Sequence, residues 1–331
     1  MVAICVPTPL DENHHPDLSY LNSAIEALAP HVKAGTLIIL ESTSFPGTMR
    51  EVVIPGILGG TRLTADELHF AFSPERIDPG NQKWNVHNTP KIVSGANEVD
   101  LKLAVDFYSR FMEHVVPVNS LEVAEMAKLL ENTFRQINIS FINEFAQHCE
   151  RIGVSVWDVI DAAATKPFGF TRFNPGLGIG GHCIPVDPHY LNWKLKKMGG
   201  NSQFIELASS INLDMPNYVA ERALSLVNGK KENISALVIG LSYKPDVADL
   251  RESPSLDLIR ELRGRGVRVL WHDQQIKGWN SEKSSPIDSP VDVVILVHRH
   301  QSLDVKSLLN SNAPIFDCTG TLRNERGVTS L

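Results

Sequence analysis

A chain of 331 residues is long enough for two or three domains, and 43% hydrophobic with 21% charged residues is the composition of an ordinary globular protein. A net charge of −7 with no basic tract argues against a nucleic-acid partner. No apolar run approaches the roughly 18 residues of a membrane span, so no membrane association is expected. The N-terminus lacks a charged n-region followed by a small-residue cleavage site, so no signal peptide is expected. Cys5, Cys149, Cys183 and Cys318 are widely scattered. That pattern fits reduced thiols in the cytoplasm, not a disulfide framework or a zinc site.

The apolar run Val2 to Val6 reads as a buried strand, ended by Pro7-Thr8-Pro9. Leu18, Leu21, Ile25 and Leu28 give helical spacing over 17–32, and Leu37 to Leu40 is a second strand. A short helix is expected over 47–58, strands at Phe70 to Phe72 and Ile92 to Val93, a helix over 98–112 and a strand at Val115 to Val118. Strands alternating with helices argue for a mainly parallel sheet. Residues 120–151 read as one long helix, rich in Ala, Leu, Glu and Lys, with Gly153 as its stop. Helices near 155–164, 184–197 and 203–228, separated by the Gly/Pro/Phe-rich loop 166–183, complete a helical middle domain. After the polar linker Gly229 to Asn233 the alternation returns. Strands are expected at Ala236 to Ile239, Val267 to Trp271 and Val291 to Val297, with a last one at Pro314 to Asp317 and a helix over 254–264. The polar stretch 275–290 reads as a surface loop. This is a second, smaller doubly wound domain.

Chemistry concentrates in a few places. Lys128 and Asn132 share a face of the long helix, and Glu125 is placed to pair with Lys128. The alternative is a solvated helix face. Cys183 follows Gly180-Gly181-His182 and precedes Asp187. Glycines permit close approach of a ligand, so this thiol reads as a nucleophile with Asp187 near in sequence for proton traffic. A small buried hydrophobe is the competing reading. A thiol with an ordinary pKa of about 8.5 needs a cation beside it to act at neutral pH, and Lys128 is a candidate. Gly176 to Gly181 matches G-x-G-x-x-G formally, but it follows Asn174-Pro175 in a loop and opens no helix, so it is not a dinucleotide site. Ser73-Pro74-Glu75-Arg76 follows a strand end; Glu75 is either a general base or the partner of Arg76. Thr8 and Ser42-Thr43 also lie past strand ends, as crevice lining or as caps. Lys244 and Arg251 follow the first strand of the last domain and are placed to engage phosphates. Ser253-Pro254 reads as N-cap plus N1. The histidines have no ligand-like spacing, and no metal is expected.

Taken in order, Val6-Pro7-Thr8-Pro9-Leu10, Ser42-Thr43, Ser73-Pro74-Glu75, Ala124-Glu125-Met126-Ala127-Lys128-Leu129 with Asn132, Gly180-Gly181-His182-Cys183, and Tyr243-Lys244-Pro245 with Arg251-Glu252-Ser253-Pro254 resemble one family. It is that of the UDP-glucose and UDP-N-acetylhexosamine 6-dehydrogenases, and the likeness runs over nearly the whole chain. The wording Ser73 to Asn81 and Gly181 to Pro188 is closer to the UDP-N-acetylglucosamine branch; Val186 stands where the UDP-glucose branch usually has a lysine.

The resemblance implies an α/β chain with a Rossmann-like NAD-binding domain over 1–118, a helical central and dimerisation domain over 119–228, and a Rossmann-like UDP-sugar-binding domain over 229–331. It implies a four-electron oxidation at C6 of a UDP-sugar with NAD as cofactor. Cys183 would form a thiohemiacetal and then a thioester, Lys128 would stabilise the oxyanion, and Asn132 and Asp187 would position water and shuttle protons. Glu75 would be the general base. Thr8, Thr43 and Arg251 would contact the cofactor. Asn174, Gly176, Gly178 and Gly180 would wrap the nucleotide sugar, with Lys244 reaching it from the last domain. The long helix resembles a dimer core, so a homodimer is expected, feeding surface polysaccharide synthesis.

Two departures stand out. The family opens with a strand–GxGxxG–helix unit that cradles the NAD pyrophosphate, and no such unit precedes Val2 here. The expected NAD domain is therefore truncated, with an exposed sheet edge and impaired turnover. Second, Asp317-Cys318-Thr319-Gly320 stands where many relatives place an arginine. The alternative to an enzyme is a non-catalytic remnant that binds UDP-sugar or dimerises with a full-length relative.

Overall fold

The computed structural model describes all residues except His14, Pro79, Gly80, Gln82, Asn228, Lys230 and Lys231. Parts of the Ser73–Asn81 motif and of the linker Gly229–Asn233 thus lie outside the described residues. The chain divides into two compact units, Met1–Phe134 with Val186–Ser202, and Arg135–Pro185 with Gln203–Leu331.

The elements of the first part, in chain order, are β1 (Val2–Ile4), α1 (Ser19–Leu28), β2 (Leu37–Leu40), α2 (Ile54–Gly59), β3 (His69–Phe72), β4 (Lys91–Gly95), α3 (Glu98–Tyr108) and β5 (Val115–Pro117). The helices α4 (Leu121–Ile152), α5 (Val156–Ala164), α6 (Asp187–Lys197) and α7 (Gln203–Ser225) follow. Helix α4 contributes its first part to one unit and its remainder to the other.

In the first unit five strands form one sheet in the order β1-β2-β3-β4-β5. β1, β2 and β3 are parallel, with Val2 opposite Ile38 and Leu37 opposite His69. β4 then runs antiparallel to β3, and β5 follows β4 in parallel. This reversal was not legible in the sequence. It carries Lys91, the first residue of β4, to the edge of the sheet where β2 and β3 end. Residues such as Ile38, Leu40 and Phe70 pack one face of the sheet onto α1, α2 and the start of α4. Ile39, Ala71 and Val93 pack the other onto Ala104 and Tyr108 of α3. The side chain of Asn97 caps α3 through the Asp100 N–H.

The second unit contains a five-stranded parallel sheet in the order β12-β11-β10-β6-β7. Its elements are β6 (Ser235–Ile239), α8 (Pro254–Gly264), β7 (Arg268–His272), the hairpin β8 (Gly278–Trp279) and β9 (Glu282–Lys283), β10 (Val293–Leu296), α9 (Val305–Leu309), β11 (Ile315–Asp317) and β12 (Val328–Ser330). Two expectations need correction. The stretch 275–290 is not a bare loop: Ile276 is buried, and the β8–β9 hairpin is tied down by Trp271 Nε1 donating to Glu282 at 3.0 Å. The strand at Ile315–Asp317 is not the last, because β12 pairs outside it. Both misses involve strands of two or three residues, too short to show a period. The α7 helix contains Pro216, and α5 and α8 are capped by Ser155 and Ser253. Gly153, at φ +82°, ends α4 as expected.

Candidate functional site

Within the first unit the carboxyl ends of β1, β2 and β3 carry polar residues side by side, the usual ligand edge of an open parallel sheet. Thr8 Oγ1 donates to the Thr43 carbonyl at 2.7 Å, and Ser42 Oγ donates to the Val6 carbonyl at 2.7 Å. Tyr190 of α6, fully buried, donates its hydroxyl to the carbonyls of Thr8 and Pro9 at 2.5 and 3.1 Å. The Pro-Thr-Pro turn is thus held from two sides. Glu75 is half-buried and accepts the Ile77 N–H. It does not pair with Arg76. That guanidinium instead grips Glu131 of α4, Nη2 to Oε1 at 2.6 Å, and the Pro90 carbonyl at 2.6 Å. Glu75 is therefore left outside that ion pair.

The sequence reading missed a neighbouring group. Lys91 is buried and donates to Glu41 at 2.9 Å and to the Pro74 carbonyl at 3.2 Å. The Tyr108 hydroxyl donates to the other Glu41 oxygen. Burial and the Glu41 charge both push the Tyr108 hydroxyl up. A carboxylate directly after a strand, Glu41 before Ser42, was the available signal; Lys91 gave none, because the reversal of β4 puts it there.

Helix α4 and the first turn of α6 build a second buried polar cluster of this unit. Lys128 is 6% exposed and Asp187 4% exposed. Asn132 Nδ2 donates to Asp187 Oδ2. Burial pushes the Asp187 carboxyl up to about 7, against the opposing pull of the Lys128 charge and the Asn132 hydrogen bond. The structure thus corrects the reading of a solvated face and groups three of the expected catalytic residues. Glu125 does not pair with Lys128. Its carboxylate accepts the backbone N–H groups of Gly47 and Met49 at 2.6 and 3.0 Å, fixing the turn that follows β2. Burial raises it to about 7 despite those bonds. A partner so far along the chain cannot be read from helical spacing.

In the second unit Cys183 is exposed and forms no disulfide. It lies in the long connection between α5 and α6. Arg251 is charge-coupled to this sulfur, although its pKa is raised first by Asp249, which takes Nη2 and Nε at 2.6 and 2.9 Å. His182 is held below its ordinary pKa by burial and then by the Arg251 charge. The Arg251 backbone is tied to the glycine run before the thiol, its carbonyl accepting the Gly181 N–H at 3.2 Å. The glycines are needed where they stand. A Cβ on Gly180 would lie 2.6 Å from the Glu252 carbonyl, and one on Gly181 would lie 2.8 Å from the Tyr243 ring. The run 176–181 opens no helix, in line with its rejection as a dinucleotide loop.

The turn carrying Lys244 is pinned from beneath. Asp273 is buried and accepts the N–H groups of Leu241 and Ser242 at 2.7 and 3.1 Å. His300 Nε2 lies 3.1 Å from the same oxygen, and His300 Nδ1 accepts the Asp246 N–H at 2.8 Å. Because an amide N–H can only donate, Nδ1 carries no proton and Nε2–H faces Asp273. Asp317, in the stretch that departs from the expected arginine, is buried and caps its own turn through Thr319 and Leu322 N–H at 2.8 Å each. Further on, Arg323 and Arg172 share Asp161 at 2.6 and 2.7 Å, and Arg172 Nε donates to Asn174 at 3.1 Å.

Comparison with known proteins agrees along the chain. Residues 1–112 match the NAD binding domain of the UDP-glucose/GDP-mannose dehydrogenase family, 122–214 its central domain and 237–324 its UDP binding domain. A UDP-N-acetyl-D-mannosamine dehydrogenase of Methanocaldococcus jannaschii is 32% identical over 97% of this chain and 75% of its own length. A UDP-N-acetyl-D-glucosamine 6-dehydrogenase of Pseudomonas aeruginosa is 35% identical over 80% of this chain and 64% of its own. The chain spans 61% of the length of a similar Methanococcus maripaludis UDP-N-acetyl-D-mannosamine dehydrogenase, at 38% identity over 82% of this chain. The solved structure of a Pyrococcus horikoshii UDP-D-ManNAc dehydrogenase superposes with a TM-score of 0.86 at 33% identity, covering 96% of this chain and 76% of that one. With those matches, the chain belongs to the UDP-glucose/GDP-mannose dehydrogenase family.

Proposed function

We propose that the protein oxidises C6 of a UDP-N-acetylhexosamine, UDP-N-acetylglucosamine in the first place, from alcohol to carboxylate with NAD as acceptor. The observation that carries this reading is the buried Lys128–Asn132–Asp187 group, a costly arrangement in a core unless chemistry uses it. The polar carboxyl ends of β1 to β3 fit a dinucleotide, and Thr8 and Thr43 would hold it; Arg251 is the further residue expected to contact it. NAD, when bound, accepts a hydride in each of the two oxidations. Glu75 takes the proton released as the alcohol becomes an aldehyde. Cys183 then adds through sulfur to the aldehyde carbon, giving a thiohemiacetal; loss of its C–H hydride gives a thioester. Lys128 holds the oxygen that carries negative charge in these steps. Asp187, poised near neutral pH, moves the protons of the attacking water, oriented with Asn132, and hydrolysis returns the thiol and the carboxylate. Asn174, Gly176, Gly178 and Gly180, with Lys244, bind the nucleotide sugar.

The three-part division into 1–118, 119–228 and 229–331 is supported by the three matching family domains. Self-association as a homodimer is supported by the exposed apolar residues Val123, Met126, Leu130, Phe134 and Phe141, which share one face of α4 at about 100° per residue. Among the described residues no helix is long and apolar enough to cross a membrane. The scattered thiols, none in a disulfide, support a cytoplasmic setting. The test is to incubate the protein with NAD and each of UDP-N-acetylglucosamine, UDP-N-acetylmannosamine and UDP-glucose. NADH and the product mass are then followed together. Two NADH per sugar and a uronic acid are expected, fastest with UDP-N-acetylglucosamine. An aldehyde as the final product would overturn the thioester route. Tight UDP-sugar binding without any NADH would favour the non-catalytic reading.

A further inference from the structure

The loop Asn174–Gly180 has no secondary structure of its own, yet its backbone is fixed by a chain of buried side chains from α4 and α7. Asn143 of α4 is fully buried, and its carboxamide oxygen accepts the Gly176 N–H at 2.9 Å. Its nitrogen donates to Asn212 Oδ1 at 2.9 Å, and Asn212 Nδ2 donates to Ser140 Oγ at 2.6 Å. The Ser140 hydroxyl faces the carbonyls of Ala208 and Gln136, each at 2.9 Å. Every orientation in this relay follows from its first member, because the Gly176 N–H can only donate. Pro216, four positions on, has no N–H to offer the Asn212 carbonyl, and the loop comes against that freed oxygen. A Cβ on Gly178 would sit 2.9 Å from it.

Gly176 itself is different. A Cβ there would meet nothing within 4 Å, and its φ is not in the left-handed region. Neither packing nor backbone conformation requires glycine at this position. A ligand that approaches the backbone closely does.

We propose that Asn143 is a positioning residue for the nucleotide sugar: its side chain fixes the Gly176 peptide so that the open side of this glycine receives the ligand. This rests on the reading of the loop Asn174–Gly180 as the sugar-nucleotide loop. Asn143 touches no substrate; it acts through Gly176.

Two variants separate positioning from plain stability. Asn143→Leu removes the acceptor while keeping similar bulk. Asn143→Asp keeps an acceptor oxygen, and Asn212 can turn its amide to donate to it, but a buried acid lowers stability. For the intact chain and both variants, three quantities are measured: thermal midpoint, amide hydrogen exchange at 174–181, and affinity for UDP-N-acetylglucosamine by calorimetry. Asn143→Leu is expected to speed exchange at Gly176 and to weaken binding by about tenfold. Asn143→Asp is expected to hold both near the unmodified values in spite of a lower midpoint. Affinity that simply follows the thermal midpoint across the variants would overturn the proposal. So would unchanged Gly176 exchange in Asn143→Leu. If the unmodified chain binds no UDP-N-acetylglucosamine, the substrate reading falls, and exchange at Gly176 still decides whether Asn143 holds the loop.

Discussion

Asp187 owes its behaviour to its address. It opens α6, where a helix N-terminus favours a negative charge, yet it is buried so deeply that desolvation dominates and its carboxyl rises to about 7. A group that is half-ionised at neutral pH can take a proton and give it back within one cycle. Asp187→Asn is therefore expected to slow acid formation by about 10²–10⁴-fold and to flatten the rise in rate through neutral pH. A variant whose pH–rate profile keeps that rise would assign it to another group. Cys183 carries a separate expectation. Cys183→Ser should leave UDP-sugar binding intact but yield no carboxylate, checked by product mass spectrometry. Full conversion to the uronic acid by that variant would remove the covalent step.

Among the elements, α4 bears the heaviest duty. One side supplies Lys128 and Asn132 and, two turns before Asn132, Glu125 to the turn after β2; the opposite side presents the apolar stripe from Val123 to Phe141. Leu130→Glu with Phe134→Glu is expected to convert a dimer to a monomer in analytical ultracentrifugation, with a folded circular-dichroism spectrum. An unchanged sedimentation coefficient would place self-association elsewhere. The sequence shows where α4 lies to within a residue, because its composition favours helix and Gly153 stops it. It shows α8 equally well through Ser253 and Pro254. What it hides are facts of pairing and depth. The reversal of β4, the pairing of β12 and the short α9 have no periodic signature. The partners of Glu125 and Arg76 lie far along the chain. Lys128 looks like surface because spacing alone does not say which side of a helix is covered.

Over the molecule as a whole, the two units store opposite responses to acid. In the first, Glu125 and Asp187 have carboxyls raised to about 7 from ordinary values of 4.5 and 3.8. Between those limits the folded unit binds protons that the unfolded chain does not. Their stabilisation is thus complete below the ordinary carboxylate range and is lost as pH rises through 7. In the second unit, burial holds His298 down to about 4 from 6.5. For Asp273, burial works upward, but hydrogen bonds from His300 and from the Ser242 and Leu241 N–H groups outweigh it and hold the carboxyl below its usual range. Both groups bind protons more readily in the unfolded chain, so this unit loses stability as pH falls from 6.5. Each shift corresponds to an effect on the order of a few kcal/mol at most. Lowering the pH from 7 to 5 should therefore protect amides along the Glu125–Asn132 stretch of α4 while releasing those of β6 and the Leu241–Asp246 turn. Hydrogen exchange followed by mass spectrometry reads both regions in one experiment. His298→Gln should reduce the acid sensitivity of the second region alone, since a group that no longer titrates cannot couple folding to pH; Asp273, ionised in both states above the ordinary carboxylate range, adds its share only on further acidification. Parallel loss of protection in both regions would show that these buried groups do not set the acid response.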